Sequence, residues 1–577
     1  MGDAKAAGIP LLDFERSNEV AHKSSTQVTP KSKCDSYCSS TTSIAVEDAN
    51  LDIENLRSIT QQHARDGNVE ALEALLDKHA LLVNKPDMEG LTALHYAAKY
   101  GNVEVAELLL NRGALLESYT YKDCYAPFHM VAKYGRVGTQ QHSNRESVVS
   151  FIDASAHRTQ SLPGTERTPN ASDPTTALVV LFVRRGGDVN IKDRFQMTPL
   201  DHATLKDNER IVRALLKNGA NPNEMDENES TPLLKACVCG SYNLVRLLLS
   251  SGADCNIADK WHNSVYHMAA RHGRNDVLQL LIDHAGKNAV ELLWTMNSEG
   301  KTPLELAVNG NHASTVNIIL SMKPPGSDSA MFQMDKWLLH KAAERGFLEV
   351  VKILIQNGYN VRLRDDDKKL PLHAAAMSKR LDVVRYLLEL APDCIDEKDG
   401  YGLSAFLYAV SMDALETVKM LVESNTDILA TDFDGRTAVY IGAKYNAINV
   451  LMYLLEIYRA QKAEEGASYP DMVDQEDYNQ DTPMHLVCHN GYMEAVTLLH
   501  EYGARLDILD EDERISLHRA ASEGQTAVVR QLVEWDKRLM VHKDEHGNTP
   551  LHLAAENDSG SAKQANYAKH LINEVSN

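Results

Sequence analysis

Thr549-Pro-Leu-His-Leu-Ala-Ala555 is the clearest copy of a theme that returns along most of this chain of 577 residues. Close copies stand at Thr92-Ala-Leu-His95, Leu370-Pro-Leu-His373 and Thr482-Pro-Met-His485. More divergent copies end at His129, Asp201, Leu234, His267, Glu305, His340, Leu407, Tyr440 and His518. The fourth positions recur at a nearly fixed step, and the two clear exceptions are the longer steps from His129 to Asp201 and from Tyr440 to His485. Such a regular period predicts a repeat architecture rather than an enzyme.

The positions of the theme have different structural roles. Threonine in first place is a good helix N-cap, and proline suits the first helical turn, where its missing N–H costs nothing. We interpret the histidine in fourth place as a bridge between backbone groups of adjacent turns, not as a catalytic base. The residues predicted to have these structural roles are Thr92, His95, His129, His267, His340, His373, His485, His518, Thr549 and His552.

A Thr-Pro-Leu-His-x-Ala core that recurs about every 33 residues resembles the ankyrin repeat. The resemblance implies an all-α solenoid of helix-turn-helix units with short β-hairpin fingers. One more unit precedes Thr92, because the segment 63–76 aligns with the following unit one period further along the chain. We therefore expect about fourteen units, which are stabilised by stacking because no single unit can bury its apolar face alone.

Interruptions of the period divide the rest of the chain. The long step from His129 to Asp201 predicts an insertion at 137–176, which is rich in Ser, Thr, Gln and Pro and is expected to be disordered. The long step from Tyr440 to His485 predicts an acidic loop insertion at 460–478. The segment 1–50 is Ser/Thr-rich and is also expected to be disordered, and 558–577 is interpreted as an atypical terminal repeat or cap. The repeat array itself is expected over 51–577.

Composition and charge reduce the number of possible functions. The formal charge of −22 disfavours nucleic acid and anionic membrane surfaces as primary partners. No apolar run is long enough to be a transmembrane segment and no secretory signal is recognisable, so a cytoplasmic protein is expected. Eight scattered cysteines fit free thiols in a reducing compartment. The acidic runs 365–367 and 510–513 lack the spaced oxygens of a calcium loop. We expect no catalytic site, no cofactor and no metal.

Protein binding is the function that the repeat architecture favours. Ankyrin solenoids bind proteins through a concave face and through the tips of their fingers. Most predicted tips are polar here, but four carry an aromatic residue, namely Phe195, Trp261, Tyr401 and Phe433. Exposed aromatic side chains on a rigid scaffold are candidate anchors for a partner. Packing against the neighbouring finger is the alternative for each of them.

The uneven repeats, the Ser/Thr-rich lead-in and the acidic array also resemble the cytoplasmic N-terminal region of TRPA-type transient receptor potential cation channels. The strongest local similarity is in Leu517–Gly524, Val529–Trp535 and Asp544–His552. In that family the repeats precede a six-helix membrane domain, and the channels conduct cations in response to thermal, mechanical or chemical stimuli. This sequence contains neither the pore nor its membrane helices. The resemblance thus implies a sensory or regulatory array at the cytosolic face of a membrane, with channel subunits as partners.

Two interpretations stay open at the level of sequence. The first is the pore-less regulatory array related to TRPA-type channels. The second is a soluble cytoplasmic adaptor or scaffold that holds two or more proteins. The altered final repeat fits both a complete protein and a piece of a longer chain.

Overall fold

A computed structural model of the protein describes residues 47–135, 173–322, 337–465 and 471–556. For 47–53 and for Glu465 and Glu556 it describes the backbone alone. The predicted terminal cap, almost all of the predicted insertion and the segment 1–46 of the predicted lead-in lie outside the described residues.

All regular structure in the described residues is helical, and the helices alternate between two kinds. The first helix of each pair follows the Thr-Pro-Leu-His theme or its counterpart: α1 (Glu47–Asp66), α3 (Ala93–Tyr100), α5 (Pro127–Tyr134), α7 (Pro199–Leu205), α9 (Pro232–Cys239), α11 (Val265–Arg271), α14 (Pro303–Asn309), α16 (Leu338–Arg345), α18 (Pro371–Met377), α20 (Ala405–Ser411), α22 (Ala438–Lys444), α24 (Pro483–Asn490), α26 (Ser516–Ser522) and α28 (Pro550–Glu556).

The second helix of each pair carries the larger aliphatic side chains. These helices are α2 (Val69–Lys78), α4 (Val103–Asn111), α6 (Pro174–Arg184), α8 (Glu209–Lys217), α10 (Tyr242–Ser250), α12 (Asn275–Ala285), α15 (Ala313–Ser321), α17 (Leu348–Gln356), α19 (Leu381–Leu390), α21 (Leu415–Glu423), α23 (Ile448–Glu465), α25 (Met493–Glu501) and α27 (Thr526–Trp535). Between pairs lie a short helix, α13 (Ala289–Leu293), and the 3₁₀ turns Ala80–Asn84, Gly286–Asn288, Pro392–Cys394 and Lys537–Val541.

Helix α14 begins at the threonine and proline of the theme, as the sequence predicts. The hydroxyl oxygen of Thr302 accepts a hydrogen bond from the N–H of Glu305 at 3.1 Å, and Pro303 occupies the first turn. Gly101 ends α3 in the left-handed region at φ +82°, and Gly240 ends α9 at φ +78°. No helix in the described stretches combines the length and the apolar character needed to cross a membrane.

Contacts divide the chain into two units. The first comprises Met1–Ala203 with Lys217–Ala220, and the second comprises Thr204–Leu216 with Asn221–Asn577. In the first unit, Leu72, Leu94 and Leu109 are completely buried between the first and second helices. In the second unit one apolar cluster runs through several pairs from Val439 to Ala554. Alanines of the first helices such as Ala97, Ala98 and Ala520 are completely buried, and their small side chains let neighbouring helices approach closely.

The helices on either side of the predicted insertion pack as one pair. The rings of Phe128, on α5, and Phe182, on α6, meet edge to face with centroids 5.5 Å apart. Helix α6 begins at Pro174, inside the predicted range 137–176, because the carboxylate of Asp173 accepts the N–H of Thr175 and caps the helix.

Two other predicted boundaries also differ from the structure. The segment 47–50, predicted as disordered, begins helix α1. The segment 460–465, predicted as loop, continues α23, because 459–465 consists largely of strong helix formers. Beyond α23, Met472 and Val473 are buried in the apolar cluster. The cysteines Cys237, Cys239, Cys255, Cys394 and Cys488 are free, whereas Cys124 is disulfide-bonded and departs from the expectation of free thiols.

Candidate protein-binding fingers

Most first helices are preceded by a turn in which one aspartate accepts the hydrogen bonds of nearby backbone N–H groups. We call this turn, from the aspartate to the fourth residue after it, a finger. In the finger of Asp259, carboxylate Oδ1 accepts the backbone N–H groups of Trp261 at 3.0 Å and Asn263 at 2.8 Å. The N–H of His262 donates to the carbonyl of Asp259 at 2.8 Å. The same carboxylate pattern is present at Asp87, Asp193, Asp226, Asp365, Asp399, Asp432, Asp477, Asp510 and Asp544, and Asn297 replaces the aspartate in one finger.

The second carboxylate oxygen ties several of these fingers to the helix that follows. The hydroxyl of Tyr408 donates to Oδ2 of Asp399 at 2.7 Å, and burial together with this carboxylate raises the pKa of Tyr408. The donor lies nine positions after the aspartate. Equivalent pairs are Tyr96 with Asp87, His202 with Asp193, Lys235 with Asp226, and Arg519 with Asp510, at 2.7 to 2.9 Å.

The finger aspartate was missed by the sequence analysis. Its signal is nonetheless present, because an Asp or Asn stands eight positions before the fourth position of the theme in every one of these fingers. The position is easily overlooked, since a polar residue in a turn is ordinary and its hydrogen bonds are visible only in the folded chain.

Neighbouring fingers within a unit are joined by a backbone hydrogen bond. In the second unit the N–H of Phe433 donates to the carbonyl of Tyr401 at 3.2 Å, and the N–H of Tyr478 donates to that of Asp434 at 3.0 Å. In the first unit Tyr121 donates to Glu89 in the same way at 2.9 Å. One bond per pair is too little to form a ladder, which is consistent with the lack of any strand in the described residues.

The four predicted aromatic residues are all exposed on fingers. The exposed fractions are 40% for Phe195, 46% for Trp261, 49% for Tyr401 and 60% for Phe433. Tyr401 and Phe433 are on successive fingers, Trp261 is on a more distant finger of the same unit, and Phe195 belongs to the other unit. Phe433 is exposed and also packs against the neighbouring finger, because a Cβ on Gly402 would lie only 2.7 Å from its ring atom Cδ1.

Tyr478 extends this surface and was not predicted. It follows the finger aspartate Asp477 directly and is 78% exposed, although a Cβ on Gly435 would lie 2.8 Å from its ring. In the sequence it stands at the edge of the predicted acidic loop insertion, 460–478, where no finger is expected. We name the surface formed by Tyr401, Phe433 and Tyr478 the aromatic strip.

The repeat histidines lie behind the fingers and join successive pairs. Nδ1 of His95 accepts the N–H of Thr92 at 3.1 Å, and Nε2 is 2.9 Å from the carbonyl of Tyr125, to which it donates. The same bridge to the following finger is made by His129, His267, His485 and His518, and Nε2 of His373 bonds the carbonyl of Glu397, just before the finger of Asp399. His340 bonds Lys369 through Nε2, while its Nδ1 has no partner among the described residues.

The last histidine of the theme differs from the others. Nδ1 of His552 accepts the N–H of Thr549 at 3.1 Å, but the His552 ring is exposed. Burial lowers the pKa of His95, His129 and His485 to about 4. Those three rings are therefore neutral at physiological pH, which suits a bridge that accepts at one nitrogen and donates at the other.

One buried group has the residue types of a metal site. Ligand atoms of His129, Asp193 and His202 lie within 4.8 Å of one another. However, Nδ1 of His129 accepts the N–H of Ala126 and therefore carries no proton. A metal ion bound to Nε2 would require a proton on Nδ1, and that proton would point at the N–H proton of Ala126. His202 and Asp193 form the same kind of pair that anchors other fingers to their helices, here at 2.8 Å. Hydrogen bonding accounts for the group.

Comparison with known proteins identifies the repeats. A family profile described as ankyrin repeats (3 copies) matches residues 37–120, 171–259, 252–330, 339–432, 466–542 and 484–576, which together cover most of the chain. The match confirms the repeat family predicted from the Thr-Pro-Leu-His theme.

Three relatives of this chain are transient receptor potential cation channels of subfamily A. The transient receptor potential cation channel subfamily A member 1 homolog of Caenorhabditis elegans is 36% identical over 549 residues, which are 90% of this chain and 44% of that protein. The human member 1 is 24% identical over 52% of this chain and 26% of its own length, and the Drosophila melanogaster protein is 24% identical over 50% and 24%. This chain thus spans less than half the length of these relatives.

Proposed function

The chain belongs to the ankyrin-repeat family, and from that premise we propose that it is a non-enzymatic regulatory array of the TRPA type that acts by binding proteins. The observation that carries the proposal is the similarity to the Caenorhabditis elegans channel homolog, which runs along 90% of this chain. Similarity through the repeat alone would match many proteins equally well. The extent of this match, irregular repeats included, favours a shared role for the whole array.

The fingers are the part of the array that we propose contacts a partner. The aromatic strip is exposed, and each of its fingers is held by carboxylate and backbone hydrogen bonds. A rigid turn loses little conformational entropy when a partner orders its side chains, and large aromatic residues supply most of the binding energy at interfaces. Phe195 and Trp261 are proposed to act in the same way on their own fingers, and the partners include channel subunits.

We also propose finer features of the array. It comprises about fourteen units, and its turns serve as the hairpin fingers of the family, with a concave inner face as a further binding surface. The segments before α1, between α5 and α6, between α23 and the finger of Asp477, and after α28 serve as lead-in, insertions and cap. The protein acts in the cytoplasm, at the cytosolic face of a membrane where its partner is a channel.

Coexpression with a channel tests this function. The chain, carrying an affinity tag, is expressed in cultured cells with the Caenorhabditis elegans channel homolog, and both coprecipitation and whole-cell cation current are measured. We expect the two proteins to coprecipitate and the current to change. Replacing Tyr401, Phe433 and Tyr478 by alanine should abolish both effects, because aromatic anchors at an interface typically contribute about 2 kcal/mol or more each.

A matched variant controls for the loss of apolar surface. Tyr242, Leu390 and Met452 are exposed on second helices, away from the fingers. Alanine at these three positions should leave coprecipitation and current unchanged. If the unmodified chain neither coprecipitates with the channel nor changes its current, the channel-related function is wrong.

A cytoplasmic adaptor or scaffold is the second candidate function. The observation that favours it is the presence of exposed finger aromatics in both units, Phe195 in the first and the aromatic strip in the second. An adaptor would hold one soluble partner on each unit. Affinity capture from cytosol with the Phe195→Ala variant and with the strip variant should then lose different proteins, whereas a channel-specific array would lose none.

A further inference from the structure

The first helices of the first unit carry a row of basic and aromatic side chains that the finger proposal does not use. Arg65, Lys99 and Lys133 stand at the same repeat position, the fourth residue after the fourth position of the theme or its counterpart, on α1, α3 and α5. Tyr100 and Tyr134 follow the two lysines directly. We name these five residues the basic ladder.

The rings and the cations of the basic ladder alternate. The guanidinium carbon of Arg65 lies 5.2 Å from the ring centroid of Tyr100. Lys99 lies 5.7 Å from that ring and 5.0 Å from the ring of Tyr134, so its ammonium group links two successive repeats. Lys133 lies 5.5 Å from the ring of Tyr134. Such cation–π contacts orient the ammonium groups without neutralising them.

No carboxylate forms an ion pair with these three cations within the described residues. Lys133 donates to the hydroxyl of Tyr125 at 2.9 Å, which leaves its charge in place. Lys352 on the second helix α17, by contrast, forms an ion pair with Glu349. Three cations without an ion pair therefore stand on consecutive repeats of a chain whose formal charge is −22. The two tyrosines remain 43% and 38% exposed beside them, so the ladder is open to a ligand.

We propose that the basic ladder is a binding site for an acidic peptide segment of a partner protein. Adjacent helices pack about 10 Å apart, and a peptide in the polyproline II conformation advances about 3.1 Å per residue with every third side chain on the same face. A segment with a carboxylate at every third position therefore matches the spacing of the three cations, and its backbone and aliphatic atoms can lie on the two tyrosine rings. The site is independent of the fingers and of the channel-related function.

Peptide binding to the purified full chain tests the proposal. The probe is a fluorescein-labelled peptide of four Glu-Gly-Ser repeats, and the same peptide with Gln in place of Glu is the neutral control. We expect fluorescence anisotropy to show saturable binding of the Glu peptide alone, weakened by added salt because the ladder is open to solvent. Arg65→Gln, Lys99→Gln and Lys133→Gln together should weaken binding about tenfold, at about half a kcal/mol for each exposed pair.

A second triple variant controls for net charge. Arg213→Gln, Lys352→Gln and Lys419→Gln remove the same number of positive charges from second helices. This variant should bind the Glu peptide within about twofold of the unmodified chain. Equal weakening by the two triple variants, or no weakening by the ladder variant, would show that the ladder is not the site.

Two further measurements keep the result clear if the ladder variant fails to fold. Tyr100→Leu with Tyr134→Leu leaves the charge unchanged and should still weaken binding of the Glu peptide, whereas unchanged affinity would contradict a role for the rings. Inorganic tripolyphosphate is the competing anion. If it binds the chain and the Glu peptide does not, the ladder is a phosphate site and the peptide proposal is wrong.

Discussion

At the scale of the single residue, the finger depends most on its buried aspartate. Asp399 is 2% exposed, and its carboxylate serves the N–H groups of Tyr401 and Leu403 and the hydroxyl of Tyr408. Removing such an acceptor leaves buried donors unpaired, and hydrogen bonds to a charged group are stronger than neutral ones. The finger therefore depends on a residue whose own side chain is turned away from any partner.

Asp399→Ala is expected to destabilise the chain by about 2 to 4 kcal/mol and to loosen its own finger. Hydrogen exchange should show faster exchange of the Tyr401 and Leu403 amides, while the finger of Asp193, in the other unit, keeps its protection. Asp366→Ala is the control, because Asp366 is exposed on a finger tip, and it should change stability by no more than about 0.5 kcal/mol. Slow exchange at Tyr401 in the Asp399 variant would contradict the assigned role.

The repeat histidines make a second prediction at this scale, concerning pH. Burial lowers the pKa of His95 from 6.5 to about 4, so between these values the unfolded chain binds a proton that the folded chain does not. Stability conferred by this residue is complete above pH 6.5 and is lost as the pH falls toward 4. We expect the unfolding free energy to fall by at most about 1.4 kcal/mol per pH unit for this one histidine.

His95→Gln isolates that contribution. A glutamine amide can still accept the Thr92 N–H and donate to the Tyr125 carbonyl, but it does not titrate. Urea denaturation from pH 7 to pH 4.5 should therefore give a shallower pH dependence for the variant than for the unmodified chain. Parallel pH profiles would mean that His95 has the same pKa in the folded and the unfolded chain.

At the scale of the element, successive fingers fit closely where a glycine faces an aromatic ring. Gly402 has φ +81°, and a Cβ there would lie 2.7 Å from Cδ1 of Phe433. Gly358 has φ +93° and would have no atom within 4 Å of its Cβ. Alanine at either site has the left-handed backbone cost of about 1 to 2 kcal/mol, but only Gly402→Ala adds a steric clash.

Gly402→Ala should thus destabilise the chain by about 1 to 3 kcal/mol more than Gly358→Ala in chemical denaturation. The variant should also move the Phe433 ring away from the preceding finger, which changes the tyrosine environment seen in near-ultraviolet circular dichroism. Equal destabilisation by the two substitutions would show that the fingers of Tyr401 and Phe433 do not pack together.

The elements also show what could be read from the sequence. Helix N-caps, such as Thr302, and the repeat period were predictable because each depends on a few residues close in the chain. The sequence left undecided whether the four aromatic finger residues are exposed, because their burial depends on the neighbouring finger. The finger aspartates recur at a fixed position in the sequence but were missed, because the hydrogen bonds that give them their role form only in the folded chain. Tyr478 was missed with the finger of Asp477, to which it belongs. The basic ladder likewise needs the stacking of repeats to bring its members together.

At the scale of the whole molecule, the pair α5 and α6 shows whether a repeat depends on the sequence inserted between its two helices. The two helices pack through Phe128 and Phe182, and His129 reaches across the interval to the carbonyl of Met197 at 3.1 Å. Both contacts lie within the first unit and join segments that are distant in sequence. The sequence between the helices is therefore expected to act as a loop whose length affects stability only through its entropy.

Replacing the segment 140–168 by a short Gly-Ser linker should leave the chain folded and about 1 kcal/mol more stable, because each halving of a flexible loop lowers the closure cost by about 0.6 kcal/mol. Phe182→Ala should cost about 3 to 5 kcal/mol in both the shortened and the unmodified chain, since α6 docks on α5 in each. Thermal and urea denaturation measure both effects. A loss of stability on shortening would mean that 140–168 packs on the array, and the interval would then be part of the repeat rather than an insertion into it.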